Sequence, residues 1–267
     1  MKRLVPVTSL IILALIASSS AGAQSFAGFY IGVYAGGSVN SSAAQTTTVF
    51  NAAGYFASTS IPAIATAGVQ NFSPEAITGG IQTGWNFQWG HFVLGPEVDF
   101  GTLRTDVTQS TTATYPCCSP ATFTVSQSIK TRGLFTARAR AGVALGRLYL
   151  YGTGGAALTN LNAQQVFTDT FDSALESGGS KVDKAGWVVG GGGEVSLSRH
   201  FSMKGEFLYI GFGSVTSTST NLVSSGGDIS PVRSGEPTGT TSYPQNPFTH
   251  TATLTEKMGR FGVNFRF

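Results

Sequence analysis

An all-β fold, an eight-stranded antiparallel up-and-down transmembrane β-barrel with four long extracellular loops and short periplasmic turns, is what three observations predict. Charged residues make up only 11% of the 267 residues, against roughly 25% in a soluble domain. Past the N-terminus, no run approaches the ~18 to 20 unbroken apolar residues of a membrane-spanning helix. Eight segments alternate apolar and polar residues with period two, and the links between them are alternately short and long. A disordered Gly/Ser/Thr-rich chain would account for the first two observations but not for the third.

Residues 1–23 read as an export signal. Lys2 and Arg3 form the basic start, Leu10 to Ala17 the apolar stretch, and Ala21-Gly22-Ala23 the cleavage site. The barrel domain is then expected over residues 24–267. Losing Lys2 and Arg3 from 16 basic residues leaves them almost balanced by 13 acidic ones. Without a basic patch there is no electrostatic case for nucleic acid as a partner.

The first segment, Ala27 to Val39, and the second, Glu75 to Gln88, carry Phe29, Tyr30, Trp85 and Phe87 towards one end. Trp89-Gly90-His91 links the second to the third, Phe92 to Arg104, which holds Glu97 and Asp99. In the fourth, Leu134 to Leu145, Phe135, Ala137, Ala139, Ala141 and Val143 oppose Thr136, Arg138, Arg140 and Gly142. Gly146-Arg147 leads to the fifth, Leu148 to Thr159. The sixth, Ala185 to Leu197, contains Glu194 and the run Gly190 to Gly193, which suits strong coiling beside bulky interior neighbours. Ser198-Arg199-His200 precedes the seventh, Phe201 to Gly213, where Phe201, Met203, Phe207 and Tyr209 oppose Ser202, Lys204 and Glu206. In the eighth, Thr251 to Phe267, Phe261, Val263, Phe265 and Phe267 oppose Arg260, Gly262, Asn264 and Arg266.

An Arg or Lys facing lipid at mid-bilayer costs ~2 to 4 kcal/mol, so these charges are expected inside the barrel with partners. Arg138 and Arg140 are assigned to Glu97 and Asp99 across one hairpin; Lys204, Glu206, Glu194 and Arg260 are assigned to a second group. With a periplasmic N-terminus, Phe29, Tyr30, Trp85, Phe87, Trp89, Phe92, Phe201, Phe265 and Phe267 fall at the periplasmic end as an interfacial girdle.

In this frame the chain resembles the small outer-membrane "porin family" barrels of α-proteobacteria, relatives of opacity-type and OmpA/OmpX-type barrels. The likeness rests on Gly28-Phe29-Tyr30-Ile31-Gly32, on the stretch from Gly79 to Gln88, and on Leu94-Gly95-Pro96-Glu97-Val98-Asp99. It continues through Arg138-Ala139-Arg140-Ala141-Gly142, the stretch from Tyr149 to Ala156, Gly186-Trp187-Val188-Val189-Gly190, Lys204-Gly205-Glu206-Phe207-Leu208-Tyr209 and the terminal Gly262-Val263-Asn264-Phe265-Arg266-Phe267. The resemblance implies the outer membrane of a Gram-negative bacterium as location. It also implies insertion by the outer-membrane assembly machinery, with Phe267 as the signal.

Other chemistry is sparse. Gly152-Thr153-Gly154-Gly155-Ala156-Ala157 matches a dinucleotide-binding turn, but no helix is expected after it, so no cofactor is expected. His91, His200 and His250 are too scattered for a metal site. His250, with a Ser or Thr and an acidic residue near the outer rim, is the one conceivable hydrolase constellation. Adjacent Cys117 and Cys118 read mainly as a loop stiffener, with thiol capture or interchain bonding as the alternatives. The expected function is a non-enzymatic barrel held in outer-membrane lipid. Its role is envelope integrity, or contact with an extracellular ligand or host surface through its loops. The alternatives are a narrow channel for small solutes or ions and a lipid- or peptide-hydrolysing enzyme.

Overall fold

The computed structural model describes residues 25–225 and 240–267. The expected leader and its cleavage site lie outside the described residues. Eight long strands form the wall: β1 (Gly28–Thr48), β2 (Glu75–Trp89), β3 (Phe92–Thr114), β4 (Thr122–Leu145), β5 (Leu148–Asp169), β6 (Leu175–Ser196), β7 (Phe201–Ser219) and β8 (Phe248–Arg266). Each pairs antiparallel with the next, and β8 returns to β1 from Tyr30↔Arg266 to Thr48↔Phe248, closing the ring. Closure leaves no edge whose N–H and C=O groups would meet lipid unpaired. The turns after β2 and β4 are tight because Gly90 (φ 60°) and Gly146 (φ 61°) adopt a left-handed backbone that an L side chain resists.

The lower wall presents Ile31, Val33, Ile81, Phe100, Phe135, Leu150, Val189, Met203, Phe207 and Phe261 outward. Most of the expected girdle surrounds the periplasmic end, with Phe29 against Trp85 at 6.2 Å between ring centres and Phe87 stacked on Trp89 at 6.1 Å. Tyr30 is the exception. It is 1% exposed and points into the lumen, because the even positions of β1 face inward.

Several strands run well past the ends expected from alternation: β3 to Thr114, β4 from Thr122 and β5 to Asp169. Beyond the bilayer the outward face need not be apolar, so the pattern inverts: Phe123, Val125 and Ile129 of β4 point inward while Ser and Thr face out. The links Tyr115 to Ala121 and Thr170 to Ala174 are therefore short. Among the described residues there is one helix, α1 (Ser60–Ala67), which lies in the longer link after β1.

Candidate functional site

The eight charged residues expected inside the barrel meet in one place, with side chains 2% exposed or less. β3 supplies Glu97 and Asp99, β4 supplies Arg138 and Arg140, β6 supplies Glu194, β7 supplies Lys204 and Glu206, and β8 supplies Arg260. Arg138 pairs with Glu97, with Asp99 at 2.9 Å and with Glu206 at 3.1 Å. Arg140 joins Glu97 (2.9 Å) to Glu194 (2.6 Å), and Lys204 reaches Glu97 at 2.9 Å. Arg260 joins Asp99 (3.0 Å) to Glu206 (2.6 Å). Two separate groups were expected, and there is a single network. An eight-strand lumen is narrow enough for side chains from opposite walls to touch, a distance that sequence separation does not encode.

Tyrosines complete it. Tyr30 Oη donates to Glu97 (2.7 Å) and accepts from Arg140 Nη1 (2.7 Å), while Tyr151 Oη donates to Glu206 (3.1 Å). The Arg140 guanidinium lies 4.1 Å from the Tyr151 ring centre and that of Arg260 lies 4.3 Å from Tyr34. Glycines make room: a Cβ on Gly192 would come 2.8 Å from Tyr151 Oη and one on Gly80 would come 2.7 Å from Tyr34 Oη. Below the network, Phe26, Val93, Ala144, Tyr149 and Tyr151 pack across the periplasmic mouth. Above it lies an apolar layer that includes Leu103, Leu134, Leu161, Val188, Ile210, Phe212, Leu254 and Met258.

Higher still, the wall has a seam. Outward of Trp187↔Gly211 the ladder between β6 and β7 stops, until Leu175 meets Val223. Gly213 (φ 68°) and the register shift at Leu254/Thr255 turn β7 away from β6 there. Side chains bridge the gap. Ser219 of β7 donates to Glu176 of β6; His250 Nε2 lies 3.2 Å from Glu176 Oε1 and 3.1 Å from Ser219 Oγ, and Nδ1 lies 3.1 Å from Thr46 Oγ1. Ser, His and an acid thus do come together near the outer rim. A catalytic relay divides nucleophile and carboxylate between opposite ring nitrogens, whereas Ser219 and Glu176 both crowd Nε2. Thr46 does stand across the ring from Glu176, but it and His250 are sealed from solvent at 0% and 1% exposure. The arrangement is that of a latch. Glu176 and Ser219 lay beyond the segments recognised by alternation, and an inward acid on an outer strand extension was the signal that could have found them.

Above the latch, Phe56, Ile64, Phe123, Phe167, Leu222 and Phe248 form a second apolar layer, with α1 lying in the mouth. Asp169 Oδ2 accepts from Tyr55 Oη (2.6 Å) and Tyr115 Oη (2.8 Å), tying two links to the outer end of β5. Burial, reinforced by the Asp169 carboxylate, pushes both phenols well above the ordinary 10.0. Cys117 and Cys118 are disulfide-bonded to each other in this cap; Cys118 packs on the apolar layer and Cys117 Sγ lies 3.7 Å from Ser60 Oγ. His91 Nδ1 sits 3.0 Å from Ala144 O in a turn and His200 stacks on Phe265. Among the described residues, no three His, Cys, Asp or Glu side chains are grouped to hold a metal. Residues 152–157 lie wholly within β5, with no helix after them.

The chain is similar to several known proteins. The 31 kDa outer-membrane immunogenic proteins of Brucella melitensis biotype 1 and Brucella suis biovar 1 are each 33% identical over 149 residues, which is 55% of this chain and 58% of theirs. Among solved structures, OprG from Pseudomonas aeruginosa is similar with a TM-score of 0.39 and 13% identity, covering 90% of this chain and 97% of that one. The outer membrane protease OmpT from Escherichia coli is similar with a TM-score of 0.42 and 9% identity, covering 94% and 99%. The outer membrane protein beta-barrel domain family matches residues 8–230, and the chain belongs to that family, as an eight-strand barrel of a Gram-negative outer membrane.

Proposed function

We propose that the barrel is a sealed, non-enzymatic anchor with a stiff outward end. It serves envelope integrity or contact with an extracellular ligand or host surface, rather than conducting solutes. The observation that carries this reading is the balanced ion network crossing the lumen between apolar layers on both sides. An ion passing through would have to displace paired charges held at low dielectric, which is costly without replacement partners. The test is planar-bilayer recording of refolded full-length mature protein. No discrete open levels are expected, and a stable conductance abolished by changing Arg138 or Glu97 would replace the anchor with a narrow channel.

The surface role has its own test. Exchanging residues 49–74 and Tyr115 to Ala121 for the links of an unrelated barrel should move cell or matrix binding while the barrel stays folded. Unchanged surface behaviour would count against it. Hydrolysis of lipid A or a peptide, lost in His250→Ala, would revive the enzyme. Phe267, 72% exposed with its backbone N–H donating to Phe29 O at 3.1 Å, is proposed as the signal for the assembly machinery. Its deletion should lower the yield of assembled barrel in cells without altering refolding in detergent.

A further inference from the structure

The outer wall carries an unexplained pair of cations. Leu103 and Arg104 of β3 stand opposite Arg132 of β4, between the pairs Thr102↔Gly133 and Thr105↔Thr131, where the register shifts. On the other side of β4, Arg132 and Gly133 stand opposite Asn160, between Leu134↔Thr159 and Thr131↔Leu161. Bulges of this kind re-aim side chains, and both arginines are exposed on the outside of the wall. Like charges facing each other across strands destabilise a sheet unless an anion sits between them. Neither guanidinium has a carboxylate or hydrogen-bonding side chain as partner among the described residues. The nearest acid along β3, Asp106, is engaged by Lys130 at 3.2 Å.

Their height along the wall is informative. Phe100 pairs with Phe135, and Phe135 with Leu158, and all three face outward at 62%, 38% and 46% exposure. The arginines follow this apolar patch by three and four positions. The cost of a cation on the lipid face falls to ~0 to 1 kcal/mol only near the interface, so the pair marks the level of the outer-leaflet headgroups. In a Gram-negative outer membrane that leaflet is built from a glycolipid with phosphates on its glucosamine headgroup. Two guanidiniums on facing strands offer forked donors that match a phosphate.

We infer that Arg104 and Arg132 form a clamp on the outside of the barrel for a headgroup phosphate of the outer-leaflet glycolipid, whose acyl chains lie along Phe100, Phe135 and Leu158.

The test reconstitutes the full-length mature barrel in phosphatidylcholine nanodiscs containing bis-phosphorylated lipid A and measures the lipid retained through detergent exchange by native mass spectrometry. The unaltered protein should retain lipid A. Arg104→Gln/Arg132→Gln should retain about tenfold less, Arg104→Lys/Arg132→Lys an intermediate amount, and Lys257→Gln, a lone exposed cation on β8, as much as the unaltered chain. Equal retention by the Gln pair, or an equal loss in Lys257→Gln, would overturn the clamp. Two arms use the unaltered chain and decide the matter even if the variants fold poorly. Dephosphorylated lipid A should be retained no better than phosphatidylcholine, and millimolar inorganic phosphate should not displace lipid A. Retention of the dephosphorylated lipid, or displacement by the free anion, would sink the proposal.

Discussion

At the scale of single residues, each lumen charge lies against at least one of opposite sign. Arg138 touches three carboxylates and Glu97 faces three cations within 3 Å. Truncating one partner strands the rest as buried, incompletely paired charges. Arg138→Ala is expected to cost ~3 to 5 kcal/mol, read as a lower urea midpoint for the transition between folded and unfolded electrophoretic bands. The cap titrates in a definite direction. Since Tyr55 and Tyr115 hold their protons more tightly folded than unfolded, the stability they contribute is complete below pH 10.0 and is lost as pH rises above it. A Tyr55→Phe/Tyr115→Phe variant should flatten that alkaline loss, followed by limited proteolysis of the outer links against pH. The charged residues were legible because lipid forbids them elsewhere. Their pairing was not, because which walls meet across a lumen depends on ring diameter. Tyr30 was misread for a related reason: an aromatic near a strand end fits the girdle equally well until the face of its strand is fixed.

The elements show where alternation ceases to be readable. On β4 the odd positions face outward from Phe135 to Leu145 and inward from Phe123 to Thr131, and the bulge at Arg132 and Gly133 exchanges the faces. A reader tracking apolar residues on one face stops at Leu134, although the strand continues to Thr122. β7 behaves likewise beyond Gly211, where three consecutive positions, Ile210 to Phe212, are buried. The helix α1 had no such handle, because an eight-residue segment is too short to be stable on intrinsic preference. It holds by seating Ile64, fully buried, among Phe and Ala side chains of the cap. Ile64→Asp should expel it, sensitising the link after β1 to protease while leaving the wall intact. Loss of the folded band altogether would instead make the helix part of the barrel's core.

For the whole molecule, ring closure is the property that strand count, link asymmetry and the cost of open edges made visible beforehand. It implies a barrel that resists dodecyl sulfate unless heated, and boiled and unboiled samples should migrate differently on a gel. A single band position would contradict closure. Height is the property that sequence concealed. With a rise of about 3.3 Å per residue and a tilt of about 40°, a 24-residue strand such as β4 stands roughly 60 Å tall, about twice the hydrocarbon thickness. The extra height is pleated wall, bearing Ser and Thr from neighbouring strands side by side. Any large molecule meeting this surface would therefore read a mosaic drawn from distant stretches of chain, so short synthetic peptides copied from any one stretch should mimic it poorly.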